Sequence, residues 1–85
     1  EFDYQLSPNP TSGKMTLIVK SPISERILCR IFDTKGAITY QIDMELKIGT
    51  NKFLLDFKEF NLTKGQYLLS FSCSSGYVSK RIMYR

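Results

Sequence analysis

Hydrophobic and polar residues alternate with a period of two along most of the chain. Side chains two residues apart point to the same face of a β-strand, so this alternation is typical of strands buried on one face. The pattern predicts strands at residues 2–6, 15–20, 26–32, 37–44, 50–57, 66–73 and 77–84. No stretch shows the 3.6-residue period of a helix. The chain is therefore predicted to be built from strands alone.

The alternation also predicts which face of each strand is buried. The inward residues are Met15, Leu17, Val19, Ile27, Cys29, Ile31, Ile38, Tyr40, Ile42, Asn51, Phe53, Leu55, Phe57, Tyr67, Leu69, Phe71, Cys73, Val78, Lys80, Ile82 and Tyr84. Lys80 is the charged member of this set, so its ammonium group must reach solvent at the rim of the sheet. Arg81 and Arg85 point outward.

Turn residues separate the predicted strands. Asp33 and Gly36 occupy the first and fourth positions of a type I turn, which suits a hairpin with a bulge, and residues 74–76 close another hairpin. Strands spaced by about 8–12 residues predict an all-β, seven-stranded antiparallel immunoglobulin-like β-sandwich. Tyr67 follows Gly65 near the start of the sixth strand. Its hydroxyl either bonds back to the preceding loop, as in a tyrosine corner, or Tyr67 is simply a core aromatic.

The stretch SPNPTSGK, residues 7–14, ends like a phosphate-binding loop. Such a loop needs glycine where Pro8 stands and serine or threonine where Met15 stands. Proline has no N–H for a phosphate and methionine is a poor ligand for Mg²⁺, so a nucleotide site is excluded. The stretch is interpreted as a turn in which Pro8 and Pro10 fix φ and Gly13 can take a positive φ.

Composition narrows the function further. The 85 residues suit one domain, assigned to residues 1–85, with residues 1–6 interpreted as a linker or cloning scar together with a first short strand. No apolar run approaches the ~18 residues that span a bilayer. The sequence contains no histidine, the commonest general base and metal ligand, so it predicts no enzyme, no metal and no cofactor. The net charge of +4 fits either an ordinary solvated surface or an acidic partner.

Two weaker motifs are interpreted without assigning a function to them. Two acidic pairs lie among lysines and are interpreted as solvated charge: Asp43 with Glu45, and Asp56 with Glu59. KGQYLLSF, residues 64–71, is similar to an RNA-binding strand motif, but Gln66 and Leu68 stand where stacking aromatics belong. Nucleic acid is therefore not a predicted partner.

The two cysteines, Cys29 and Cys73, both fall on inward faces by parity. An inter-sheet disulfide between them would suit an exported protein. Free thiols are the favoured interpretation, because unpaired cysteines are commonly buried in strands.

Four motifs follow one another along the chain: LSPNPTSGK (6–14), CRIFDTKGAI (29–38), LKIGTNKFLLDF (46–57) and NLTKGQYLLSF (61–71), before a basic last strand. This order resembles the type A C-terminal sorting domain of the type IX secretion system of Bacteroidota. The departures are Phe32 for the usual tyrosine, Thr63 and Lys64 where proline is frequent, and Ser7 where an aromatic often precedes the first motif.

The resemblance implies a sorting signal at the C-terminal end of a larger cargo protein. It implies recognition in the periplasm by the outer-membrane translocon and its shuttle protein, removal by a sortase, and cargo at the cell surface or outside the cell. The candidate recognition residues are Pro8, Asn9, Pro10, Gly13, Lys14, Lys80, Arg81 and Arg85. The candidate turn and corner residues are Asp33, Gly36, Gly65 and Tyr67.

The last strand is predicted to lie at a sheet edge, with main-chain groups and positive charge free for strand addition or charge pairing by a partner. A second hypothesis is a non-catalytic fibronectin-III-like spacer or a carbohydrate-binding module of a secreted protein. The sequence contains no tryptophan, which argues against an aromatic platform for sugars.

Overall fold

A computed structural model describes residues 3–85, and within them the chain forms seven β-strands and no helix. The strands are β1 (Asp3–Ser7), β2 (Lys14–Ser21), β3 (Glu25–Phe32), β4 (Ile38–Leu46), β5 (Gly49–Asp56), β6 (Gly65–Cys73) and β7 (Gly76–Tyr84). Each predicted strand is present with small differences at its ends. Phe2, the first residue of the predicted N-terminal strand, lies outside the described residues.

The strands form two antiparallel sheets, and the core lies between them. The three-stranded sheet has the order β1-β2-β5 and the four-stranded sheet the order β4-β3-β6-β7. The predicted all-β, immunoglobulin-like sandwich is confirmed. β7 pairs along its whole length with β6 and lies at the edge of its sheet, as predicted.

The core consists of alternate residues from both sheets, which is the arrangement that the period-two pattern predicts. Its buried members are Met15, Leu17, Val19, Ile27, Cys29, Ile31, Met44, Leu46, Leu55, Phe57, Tyr67, Leu69, Phe71, Val78, Ile82 and Tyr84. Lys80 shares the inward parity of β7 but is exposed. Its position fits the expected placement of the ammonium group in solvent at an edge strand.

The prediction that Ile38 lies in the core is wrong, since its side chain is 50% exposed. The β3–β4 register shifts between Ile31 and Phe32, so Ile31 pairs with Tyr40 while Phe32 pairs with Ile38. The extra residue, Thr39, donates its hydroxyl to the carbonyl of Ile31. Because such a bulge inserts one residue, it moves Ile38 to the opposite face from Tyr40.

The bulge adjoins the predicted turn after β3, which is confirmed. The N–H of Gly36 donates to the carbonyl of Asp33 at 3.1 Å. The Asp33 carboxylate accepts the N–H groups of Lys35 and Ala37, both at 2.9 Å. Gly36 has φ of +86°, a conformation that side chains with a Cβ rarely adopt. Asp33 and Gly36 therefore fix the geometry of the turn.

Tyr67 forms a tyrosine corner. Its ring is buried and its hydroxyl donates to the carbonyl of Thr63 in the crossing loop. The ring lies edge-on to Phe57 with the centroids 5.9 Å apart. Tyr67 is thus both a core aromatic and the residue that attaches the loop to β6. The tyrosine corner and the core aromatic, offered as alternatives from the sequence, are therefore both correct.

We expect Tyr67→Phe to lower the free energy of unfolding by about 1 kcal/mol, because the phenyl ring keeps its packing while the Thr63 carbonyl loses its donor. The midpoint of denaturant unfolding measures the change. Tyr77→Phe is a suitable control, since Tyr77 is 65% exposed. Equal midpoints for wild type and Tyr67→Phe would show that the corner bond contributes no stability.

The cysteines are both free in the structure, Cys29 being buried and Cys73 half-buried. The inter-sheet disulfide is excluded by topology, because β3 and β6 are neighbours in one sheet. Arg30 pairs with Ser70 in that sheet, and this register places Cys29 and Cys73 on a diagonal rather than opposite each other. Diagonal Cα atoms are about 7–8 Å apart, which is too far for an unstrained disulfide.

Burial raises the pKa of Cys29 from 9.0 to about 12. We expect a thiol reagent at pH 8 to modify Cys73 in the native protein and both cysteines after unfolding. The reason is that the thiolate is the reactive form and Cys29 stays a buried neutral thiol in the folded protein.

The raised pKa also makes stability depend on pH, because the folded state binds the Cys29 proton more tightly than the unfolded state. Its contribution to stability is therefore complete below pH 9.0 and is lost as the pH rises toward about 12. Two fast-reacting thiols in the native protein would contradict this placement.

Candidate functional site

The proline-rich turn after β1 lies against the outer edge of β7. The Asn9 side chain donates to the carbonyl of Arg81 at 2.7 Å and accepts the N–H of Met83 at 3.1 Å. Thr11 continues this pairing as a parallel bridge to β7: its N–H donates to the Met83 carbonyl and its carbonyl accepts the Arg85 N–H, both at 2.9 Å. Residues 8–11, called here the covering segment, therefore occupy the edge of β7 from Arg81 to its end.

This contact corrects the prediction that the last strand is free along its edge. Main-chain groups of alternate residues in an edge strand point to the same side, so those of Tyr77 and Ser79 point outward like those of Arg81 and Met83. Within residues 3–85, the outward groups of Tyr77 and Ser79 have no hydrogen-bond partner. The free edge is thus the first half of β7, because Asn9 and Thr11 cover the second half.

The covering segment is held in place at its far end by Thr11 and Gly13. Thr11 is buried, its hydroxyl donates to the Lys14 carbonyl at 2.7 Å, and its oxygen accepts the Gly13 N–H at 3.0 Å. Gly13 has φ of +146° and its carbonyl accepts the Phe57 N–H at 2.8 Å. The predicted positive φ at Gly13 is confirmed, and these bonds connect the turn to the end of β5.

The structure brings some of the candidate recognition residues together and separates the others. Pro8, Asn9 and Pro10 lie beside Arg81 and Arg85 on the edge of β7. The remaining candidates lie elsewhere. Gly13 and Lys14 lie beside the end of β5, where the main chain of Lys14 is paired with that of Asp56 in the sheet, and Lys80 has the inward parity of β7. Recognition by any of these residues stays a prediction.

The outer face of the four-stranded sheet carries a groove of about 1130 Å³. Its lining comes from β3, β6, β7 and the turn after β3, and includes Leu28, Arg30, Phe32, Leu68, Ser70, Tyr77, Ser79 and Arg81. Leu68 faces Phe32 on one side and Arg81 on the other, while Ser70 faces Arg30 and Ser79. The groove therefore runs beside the free half of the β7 edge and contains Arg81.

Sequence reasoning missed Arg30 and Tyr77 as surface residues of this groove. The period-two pattern places both on outward faces, but it does not reveal which strands are neighbours. It also missed Asn51, whose amide group accepts the Lys47 N–H at 2.9 Å and donates to the carbonyls of Lys47 and Val19. The glycine and asparagine of the GTN sequence were a usable signal for this turn.

The acidic pairs of the sequence lie in a turn and on an exposed strand face. The Asp56 carboxylate accepts the Lys58 N–H at 3.1 Å in the turn after β5, and Asp43 and Glu45 lie exposed on β4. Residues 3–85 hold no group of three acidic or cysteine side chains arranged to bind a metal. The described part of the chain contains no helix that could cross a membrane.

Comparison with protein families gives one assignment. A family model described as a secretion system C-terminal sorting domain matches residues 5–85, which covers all seven strands except the start of β1. A comparison with curated proteins finds no match. The match includes the covering segment, the groove and the whole of β7.

Proposed function

Because the chain belongs to the family of secretion system C-terminal sorting domains, we propose that it directs a cargo protein through the type IX outer-membrane translocon. In this proposal the cargo precedes the domain in the same polypeptide, and a sortase removes the domain after export. The domain acts as a substrate of sorting and not as a catalyst. The observation that carries the proposal is the family match over residues 5–85, to which the sandwich fold adds support.

We further propose that the export machinery recognises the folded edge formed by β7 and the covering segment. The covering segment bonds to β7 through Asn9 and Thr11, so two elements far apart in sequence present one surface. Arg81 and Arg85 are exposed on that surface. Positive charge on an exposed edge favours association with a complementary negative surface. The periplasmic shuttle protein and the translocon are the proposed partners.

The proposal is tested by fusing residues 1–85 to the C-terminus of a periplasmic reporter in a type IX-competent host. The fusion should appear at the cell surface or in the medium, and it should remain in the periplasm of an isogenic strain that lacks the translocon. A reporter without the domain is the control for leakage. Retention of the fusion in the competent strain would contradict the sorting function and would favour a spacer module.

A further inference from the structure

We propose that the groove on the outer face, together with the free half of the β7 edge, is a docking site for an extended acidic segment of a protein partner. The inference rests on the proposed function, because the partner would belong to the export machinery. It deepens that proposal by specifying the chemistry of the partner. The segment would pair with the main chain of β7 and place an acidic side chain against Arg81, while Arg30, on β3, adds positive charge to the same sheet face.

The main chain of β7 supplies the first part of this site. The outward groups of Tyr77 and Ser79 are unpaired within residues 3–85, and such an edge is a template for an added strand. The free stretch ends at Arg81, whose carbonyl is already bonded to Asn9. From Tyr77 to Arg81 the edge has room for a strand of about five residues, roughly 17 Å long. The site therefore fits a short extended peptide.

The turn before β7 keeps this edge in place. Glu25, at the start of β3, accepts the N–H of Ser74 at 3.1 Å and its hydroxyl at 2.8 Å. Cys73 pairs with Gly76 across this two-residue turn. Because the turn is bonded to a neighbouring strand, the first half of β7 is positioned before any partner binds.

The charges of the groove favour an acidic occupant. Arg30 and Arg81 are both exposed in its lining, and neither is paired with a carboxylate within residues 3–85. The Arg30 Nε donates to the Gln41 side chain at 3.0 Å, which holds the guanidinium on the outer face. Asp33 is the acidic residue in the lining, but its carboxylate accepts two N–H groups of its own turn. Carboxylates of a partner would complement the two arginines.

The surface of the groove suits alternate side chains of an added strand. Ser70 and Ser79 give it a floor of small residues, while Leu68 and Phe32 are half-buried beside them. Tyr77, 65% exposed, stands at one end. A second copy of this chain is a poorer occupant, because its own β7 edge carries the exposed positive charges of Lys80, Arg81 and Arg85 and would repel the arginines of the groove. The site therefore fits a segment that alternates acidic and small apolar residues.

The direct test is an NMR titration of the ¹⁵N-labelled domain with a blocked peptide of sequence TEVEVET. A peptide with glutamine in place of each glutamate, TQVQVQT, is the matched control. We expect the acidic peptide to shift the amide signals of Tyr77, Ser79 and Arg81, and to bind roughly tenfold more weakly to an Arg30→Gln, Arg81→Gln variant. Absence of shifts at these amides, or equal binding of both peptides, would overturn the inference.

Export provides a second test that separates this inference from the sorting function. Arg26→Gln is the matched control for Arg30→Gln, because Arg26 lies on the same face of β3 but outside the groove lining. We expect export of the reporter fusion to fall roughly fivefold with Arg30→Gln and Arg81→Gln together, and to be unchanged with Arg26→Gln. Full export of the double variant would overturn the inference that the groove is a docking site, while leaving the sorting function in place. Failure of the wild-type fusion would instead contradict the sorting function.

Discussion

Phe57→Ala is expected to lower the free energy of unfolding by about 4 kcal/mol, because truncating a buried aromatic removes its burial and leaves a cavity. Phe57 is fully buried, and its ring lies edge-on to Tyr84 at 5.5 Å and to Tyr67 at 5.9 Å. Its ring is also 6.3 Å from that of Phe60 in the crossing loop. The substitution therefore removes the contact shared by β6, β7 and the loop. The total free energy of unfolding of a domain of this size is roughly 4–13 kcal/mol, so the expected loss is a large part of it.

Chemical denaturation followed by circular dichroism measures this loss. Leu54→Ala is the matched control, because Leu54 is on the preceding strand but is 66% exposed. We expect the control to stay within about 0.5 kcal/mol of wild type, as surface substitutions usually do. A loss below about 1.5 kcal/mol for Phe57→Ala would contradict the central position of this ring, since it would be smaller than ordinary cavity costs.

Deletion of residues 80–85 is expected to abolish cooperative folding. It removes the buried side chains of Ile82 and Tyr84, the pairing of β7 with the first half of β6, and the bonds to Asn9 and Thr11. Loss of two large core side chains costs roughly 5–10 kcal/mol. The lost strand pairing adds to this, so the total reaches the roughly 4–13 kcal/mol that stabilises a domain of this size. Thermal unfolding of the truncated domain should show no sharp transition.

The truncation needs a control that removes charge but keeps the strand. The triple variant Lys80→Ala, Arg81→Ala, Arg85→Ala serves this purpose, since all three side chains are exposed. We expect it to unfold cooperatively near the wild-type midpoint. A cooperative transition in the truncated domain would show that β7 is dispensable for folding. Failed export of an unfolded truncation would report loss of the fold and would say nothing about recognition.

The fold could be predicted from sequence because its main determinants are local. Alternation assigned the core faces of six strands, and Asp33 with Gly36 marked a turn whose hydrogen bonds depend on residues within four positions. Ile38 was misassigned because a bulge is a property of two paired strands, and the alternation of one strand does not reveal it. Alternation correctly placed both cysteines on inward faces. Whether they belong to the same sheet depends on the order of the strands, which alternation does not encode.

The candidate site was less predictable because it depends on contacts between distant residues. Pro8, Asn9 and Pro10 were recognisable as a turn, and β7 as a basic edge strand. That Asn9 bonds to Arg81 and Met83 follows only from the way the chain crosses between the sheets. The groove likewise requires β3, β6 and β7 to be neighbours, so Arg30 and Arg81 line the same groove only in the folded domain.

The most direct measurement of the sorting account is the fraction of a reporter fusion that leaves the periplasm when Arg81→Ala and Arg85→Ala are combined. The matched control is Lys20→Ala with Lys52→Ala, which removes the same charge from exposed positions on the three-stranded sheet. Thermal unfolding must first show that both double variants are folded. We expect the arginine variant to be retained in the periplasm and the lysine variant to be exported like wild type. Equal export of the two variants would contradict recognition of the β7 edge.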